Sequence, residues 1–446
     1  MRALDPEKLT RRAVSRALSL GATDAVVEIY VGRERWVKFA NNEVVVFEER
    51  LERSVSVFAA VRERRAEVSV EGLSARKVDE AVEQAVKLAK RSEPADVYAP
   101  LPRGPFKYDE RLLRARRIRG DPERLVDAVE AAMNAALAEG AERVAGALIH
   151  STGRTWLRTS GEAYGVAEES SIEISLRALA SGGGSGHFVS IAARREDFDP
   201  EEAGRVAGEY ASLSRNPVEG EPGEYEVLLG PMVFADIVEE VGEAASAFHV
   251  DSGLSFLKDK LGREVASEIF TLVDDPTIPG TCGASPFDEE GVPTRRNVVI
   301  ERGVLKTYLH NSTTARKFGT GTTANAGLIV PQPFNLVVEG GGESLEKLIS
   351  SIDDGIYVTN DWYLRYHNYQ AGDFSAILRD AILRIRRGGV DGAVKNLRIS
   401  DNVIRLLRGI RKLGDRRHWI SWWEVETPVH APHALVDGLN LTKPHS

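Results

Sequence analysis

The sequence predicts an α+β protein in which two repeated α-β-β-β-α units precede a larger, mostly antiparallel β-rich domain with helices. Three observations predict it. Two amphipathic stretches open on the same five-residue pattern, Asp5-Pro6-Glu7-Lys8-Leu9 and Asp121-Pro122-Glu123-Arg124-Leu125. Trp36 and Trp156 stand 120 positions apart, and so do the acidic pairs Glu48-Glu49 and Glu168-Glu169. From Ile269 onward, short alternating apolar runs are separated by turn residues, the signature of strands rather than helices.

Each repeat is justified element by element. Asp at the N-cap, Pro at the first helical position and Glu in the first turn all favour a helix start. Gly21-Ala22 and Gly140-Ala141 end the two helices, with Gly suited to a left-handed C-terminal residue. Strands are expected at Asp24 to Val31 and Val144 to Ser151, then turns at Asn41-Asn42 and Ser160-Gly161-Glu162. The strands 54–58 and 171–176 close each hairpin, and helices near 74–91 and 200–213 end each unit. Matched order and spacing favour a duplication over coincidence. The divisions are 1–95 for the first unit, 96–119 for a Pro- and base-rich linker, 120–218 for the second unit and 219–446 for the C-terminal domain. Ser181 to Gly186 reads as a flexible loop; it is not a phosphate-binding loop, because no Gly-Lys-Ser/Thr follows.

The C-terminal domain opens with a buried-type strand, Val227-Leu228-Leu229, and Pro231 starts a helix to about Phe248. Residues 253–261 are expected to continue helically, and further helices are expected over 344–352 and 401–412. The remaining strands are placed at 271–273, 297–300, 304–309, 335–338 and 355–359.

Composition narrows the function. A net charge of −9 argues against non-specific nucleic-acid binding, which needs a basic face. The 42% hydrophobic content supports a sizeable core, yet no apolar run of about 18 residues exists to span a bilayer. One cysteine, Cys282, excludes an internal disulfide and a Cys-rich zinc site. With no signal-type segment at the N-terminus, a cytoplasmic setting is expected.

The segment 227–244 carries the chemistry: a strand, a Gly230-Pro231 turn, then a helix with acidic residues one turn apart. Metallopeptidases use that spacing to present two His ligands to zinc beside a Glu general base. Around it lie Val273-Asp274-Asp275-Pro276, the long stretch Ser285-Pro286-Phe287-Asp288-Glu289-Glu290-Gly291-Val292-Pro293-Thr294-Arg295-Arg296, Gly303 to Tyr308, Thr314 to Gly319 and Gly372-Asp373-Phe374-Ser375. With Gly21-Ala22-Thr23-Asp24-Ala25 and Asn41-Asn42-Glu43-Val44, these residues resemble the TldD/PmbA family, in the family's order over nearly the whole chain.

In the zinc-bearing TldD type the helix carries His-Glu-x-x-x-His and a C-terminal Cys completes the site. Here the first His position falls on Glu239, the Glu on Glu240 and the second His on Ala244. The resemblance therefore is to the PmbA (TldE) type. It implies no cofactor in this chain, zinc in a TldD-type partner subunit, and a heterodimer that degrades unfolded or short peptides; a homodimer is the other arrangement considered. Two alternatives stand beside it: a self-sufficient metallohydrolase with a rebuilt site, and a non-enzymatic peptide-binding or regulatory scaffold.

Individual residues carry these readings. Glu240 occupies the general-base position. Glu239, Glu240 and Glu243 are read first as a solvated acidic helix face and second, with His249, as a carboxylate metal site. His430 and His433 lie near the family's third-ligand position; with Pro432 between them they are placed on a loop, as surface or interface residues before metal ligands. Cys282 is read as a structural thiol in a turn. Trp362, Tyr363, Arg365, Tyr366 and His367 form an aromatic and basic surface loop suited to a peptide groove or subunit interface, with packing into the core as an equal alternative and Trp419, Trp422 and Trp423 in the same layer.

Overall fold

The computed structural model describes residues 5–115 and 118–444. The first unit runs α1 (Pro6–Ser19), β1 (Asp24–Ala40), β2 (Glu43–Val61), β3 (Arg64–Glu71) and α2 (Ala75–Ala89). A short helix α3 (Glu110–Leu113) interrupts the connecting segment, two of whose residues, Arg116 and Arg117, lie outside the described ones. The second unit repeats the order: α4 (Pro122–Ala138), β4 (Arg143–Thr159), β5 (Tyr164–Ala180), β6 (Gly184–Ala192) and α5 (Pro200–Leu213).

The local reasons are those read from the sequence, with one difference. Asp5 accepts from the Lys8 amide, but Asp121 makes no side-chain cap bond and instead meets Arg124 at 3.4 Å. Gly21 and Gly140 both take the left-handed conformation, φ 95° and 94°, that ends each first helix. The strands are longer than expected: β1 continues to Ala40 and β4 from Arg143 to Thr159. The Gly-rich stretch is a brief turn at Ser181–Gly183, because strand β6 already starts at Gly184.

Both units build one six-stranded antiparallel sheet, ordered β3-β2-β1-β4-β5-β6. Trp36 pairs with Ile149, and Ile29 pairs with Trp156. A shift of 120 converts each pair into the other, so the β1·β4 ladder has the register of a local two-fold between the repeats. Helices α1 and α2 cover the first half of the sheet with a core of their own, including Ala13, Val27, Val57 and Val82. The core of the second half, around Val129, Ile174 and Ala207, is continuous with that of the C-terminal domain. The connecting segment is packed: Leu101 joins Val26, Leu157 and Phe287, and the Tyr108 hydroxyl donates to the Gly291 carbonyl at 2.9 Å.

The C-terminal domain begins with β7 (Val218–Glu219), β8 (Gly223–Leu229), α6 (Pro231–Ala244) and α7 (Ala247–Asp251). It continues through β9 (Thr271–Asp274), β10 (Asn297–Glu301), β11 (Val304–Leu305), α8 (Ser312–Phe318), β12 (Leu336–Glu339) and α9 (Leu345–Ser350). It ends with β13 (Asp354–Asn368), β14 (Asp373–Arg386), β15 (Gly389–Lys395), β16 (Arg398–Asn402), α10 (Val403–Arg408), β17 (Ile410–Trp422) and β18 (Val425–Thr442). Most pairings are antiparallel; β8·β13, β12·β18 and β7·β15 are parallel. The pairings β8·β13, β13·β14, β14·β16, β16·β18 and β18·β8 close a ring of strands.

Several expectations are corrected here. Residues 254–261 form turns rather than helix. The helix expected over 401–412 spans only Val403–Arg408, because Ile410 and Lys412 are claimed by pairing with Val436 and Leu435. Residues 361–368 belong to strand β13, not a surface loop, and β13 is irregular between Trp362 and Arg365, where Tyr363 sits at φ 58°. His430 and His433 lie in strand β18, not on a loop.

Candidate functional site

Helix α6 starts where β8 ends. The Gly230 amide donates to the Val358 carbonyl at 2.8 Å, and Pro231 follows at the first helical position. The helix is buried nearly all round, with Met232, Val233, Phe234, Ile237 and Val238 in the core. Gly242 allows the approach of β12, since a Cβ there would stand 2.5 Å from Leu336 Cδ1. Into this apolar helix are set four carboxyls: Asp236, Glu239, Glu240 and Glu243.

The expectation of a solvated acidic face is overturned for most of them. Asp236 is 2% and Glu239 6% exposed, Glu240 is half-buried, and Glu243 alone is exposed. Glu239 accepts from the Thr427 amide at the start of β18, which turns it away from the others. Burial pushes Glu239 up to about 8, against the pull of that amide, with Glu243 and Glu240 adding. Burial likewise raises Glu240 to about 7; Glu243 adds, while Tyr366 and Arg365 pull it down.

Two further carboxyls, which the sequence reading did not single out, complete the cluster. Asp361 of β13 is 1% exposed, and Glu424 sits in the turn between β17 and β18. Burial raises both Asp236 and Asp361 far above the usual carboxyl range; Asp361 and Glu240 add to the first, and Glu424 adds to the second. Asp236 Oδ2 and both oxygens of Asp361 have no N–H or hydroxyl donor; the two carboxyls meet one another, with Asp236 donating to Asp361. Glu424 accepts from the Tyr363 amide at 2.8 Å and lies 4.0 Å from the Arg365 guanidinium. The available signal was Asp236 itself, a charge one turn before Glu240 inside an otherwise apolar helix.

Glu240 opens onto a cavity of about 370 Å³, which it lines with Glu243, Ala244, His249, Phe256 and Tyr366. Leu254 and Tyr369 complete its wall. The Tyr366 hydroxyl is buried and directed at Glu240, the one side chain it interacts with as a donor among the described residues. His249 Nδ1 is 3.0 Å from the Glu243 carbonyl, so that nitrogen is committed to the backbone. Ala244 contributes a methyl group where an imidazole would project.

The histidines of β18 are elsewhere. His430 stacks on Trp419, ring centroids 4.5 Å apart and 10° from parallel. His433 is buried, with Nε2 3.0 Å from the Tyr357 hydroxyl, which in turn meets the Tyr210 hydroxyl at 2.7 Å. Burial lowers His430 to about 4 and His433 to about 3, so both rings are neutral. Cys282 lies in a turn, and burial pushes its thiol up to about 12, which holds it protonated.

The aromatic run of β13 is divided. Tyr366 reaches the cavity, while Arg365 and His367 are exposed. Trp362 and Tyr363 instead form a layer with Trp422 and Trp423, at ring separations of 5.3 to 6.1 Å. Arg177 and Arg379 lie over the Trp362 ring, at 4.4 and 5.0 Å from its centroid. Trp419 stands apart from this layer, on His430.

The donor set does not fit zinc. Glu239 is occupied by a backbone amide, Ala244 offers no donor, and His249 faces a carbonyl. Among the described residues, no three His, Cys, Asp or Glu side chains are grouped so as to hold a metal ion. Nor is any helix among them long and apolar enough to cross a membrane.

Comparison with known proteins adds the following. A family model described as the PmbA/TldA metallopeptidase C-terminal domain matches residues 222–443. A metalloprotease from Methanothermobacter thermautotrophicus is 33% identical over 242 residues, 52% of this chain and 51% of that protein. A metalloprotease TldD homolog from Buchnera aphidicola subsp. Acyrthosiphon pisum is 29% identical over 248 residues, 53% of this chain and 50% of its own. The chain thus spans about half the length of the curated relatives it matches. In fold it is similar to TldE from Thermococcus kodakarensis, with a TM-score of 0.84 and 23% identity, over 97% of this chain and 100% of that one.

Proposed function

The chain belongs to the PmbA/TldD metallopeptidase family, and from that premise we propose that it is a non-catalytic, peptide-binding subunit that works beside a zinc-bearing homologue. One observation carries the reading. Helix α6 stands against a peptide-sized cavity with Glu240 and Ala244 on its wall, yet the ligand positions hold a carboxylate bound to a backbone amide and a methyl group. Zinc would need imidazoles or thiolates there. In this reading the zinc and the attacking water belong to the partner, in a cytoplasmic heterodimer acting on unfolded or short peptides. This chain contributes the cavity and the Trp362–Trp423 layer as binding surfaces.

Co-purification tests it. Tagged chain from its source should bring down a homologue carrying His-Glu-x-x-x-His, and peptide hydrolysis should require that homologue. A homodimer that hydrolyses peptides alone, with stoichiometric zinc lost in Glu239→Ala, would overturn the proposal in favour of a self-sufficient hydrolase.

A further inference from the structure

The α6 cluster carries more carboxyls than countercharge. Asp236, Glu239, Glu240, Asp361 and Glu424 act on one another through the interior, and Asp236 and Asp361 present buried oxygens with no N–H or hydroxyl donor. The nearest cation, Arg365, is 65% exposed and turned to Glu424 at 4.0 Å. Among the described residues lining the cavity there is no Lys or Arg, while Glu240 and Glu243 share its wall with Phe256, Tyr366 and Tyr369. Ionising a half-buried carboxyl such as Glu240 is costly, and an entering cation that pairs with it recovers that cost. Aromatic faces attract organic cations as well. A bare metal ion fits poorly, since three ligating side chains are not grouped here.

We infer that this cavity binds the side chain of a lysine or arginine residue in a peptide, its ammonium or guanidinium group held by Glu240 and Glu243 against the aromatic wall. The inference rests on the peptide-binding reading above and names the class of peptide that the site selects. The Tyr366 hydroxyl, directed at Glu240, keeps its oxygen free to accept one N–H of the entering group. Asp236 and Asp361 do not line the cavity; burial raises both far above the usual carboxyl range, so they stand behind Glu240 as neutral acids.

Titration calorimetry on the full chain, alone and with its zinc-bearing partner, tests this. The probes are a blocked alanine peptide with a central lysine, the same peptide with norleucine, n-butylammonium, and calcium or zinc ions alone. The lysine peptide should bind about tenfold more tightly than its norleucine isostere, equivalent to roughly 1.4 kcal/mol. Glu240→Gln should abolish that preference, and the exposed Glu243→Gln should reduce it, which keeps the test decisive if the first variant misfolds. Equal binding of the two peptides overturns the cation assignment and leaves the peptide reading standing. No binding of either, with or without the partner, overturns both. Butylammonium binding as tightly as the lysine peptide replaces the peptide by a free amine, and metal binding that displaces the peptide replaces it by an inorganic ion; each overturns the inference. A lysine preference that survives both substitutions places the site elsewhere and overturns it too.

Discussion

Two groups of buried carboxyls lie in the C-terminal domain, and the chain treats them in opposite ways. In the first, Asp288 accepts from the amides of Glu290, Val292 and Ala326 at 2.9 to 3.1 Å. Asp274 accepts from the amides of Phe334 and Asn335 and from the Asn325 side chain at 2.6 to 2.9 Å. In the second, Asp236 and Asp361 are buried as deeply, and Asp236 Oδ2 and both Asp361 oxygens have no N–H or hydroxyl donor, only the neighbouring carboxyl. A satisfied buried carboxyl organises loops; an orphaned one is retained at a cost that folding alone does not explain. The satisfied carboxyl of the stretch 285–296 therefore organises its turn, and the proposed binding chemistry sits on α6.

The largest effect should come from breaking the satisfied group. Asp288→Ala leaves three backbone amides in and around a buried turn without an acceptor, at about 1–3 kcal/mol each. Urea denaturation should show a loss of about 4 kcal/mol or more. A loss below about 1 kcal/mol would erase the distinction between the two groups.

The opposite sign is expected from the orphaned pair. Asp361→Asn removes a buried acid that keeps its proton where the unfolded chain has released it, and supplies an amide that Asp236 can accept from, so the chain should gain roughly 1 kcal/mol near pH 8. Destabilisation as large as that of Asp288→Ala would mean that Asp361 has a partner essential to the fold.

The pH dependence sharpens the contrast. Glu239 is raised from 4.5 to about 8 and Glu240 to about 7, so each holds a proton in the folded chain that the unfolded chain has released. That stabilisation is complete below about 4.5 and is lost as pH climbs through 7 to 8, at up to about 1.4 kcal/mol per pH unit for one proton. Thermal midpoints should fall from pH 5 to pH 8. Asp288, raised by burial to about 8 with Glu290 adding, contributes to the same fall, so the decisive comparison is Glu239→Gln, whose slope should be shallower. An unchanged slope would show that Glu239 is ionised in the folded chain.

Much of this architecture was legible because it rests on short-range chemistry. The Asp-Pro-Glu openings and the left-handed Gly21 and Gly140 are local, and the spacing of 120 reports a repeat whatever its partners. That the repeats share a sheet was not legible, since pairing Trp36 with Ile149 is a long-range event with no local signature. Residues 32–40 lack apolar alternation and become strand because neighbours bond on both sides. Tertiary pairing likewise overrode helix propensity after Arg408 and placed His430 and His433 in β18. At the site, Glu240 was found through its position on the helix, whereas Asp361 and Glu424 come from distant segments that meet α6 only after folding.

The smallest expected effect separates the two surfaces that the sequence had treated as one. Trp423 is 54% exposed and meets Trp362, Tyr363 and Trp422 from the solvent side of the layer. Trp423→Ala should cost the isolated chain less than about 1 kcal/mol, because little apolar area is removed from the interior. Its lysine-peptide affinity should be unchanged, since the cavity is walled by Tyr366 and Phe256 on another part of β13 and its surroundings. Binding of the zinc-bearing partner, measured by surface plasmon resonance, should weaken about tenfold if the layer is the docking face, as expected of an exposed aromatic anchor. Loss of peptide affinity with partner binding intact would assign the layer to the substrate instead, and join what the bulge after Trp362 divides.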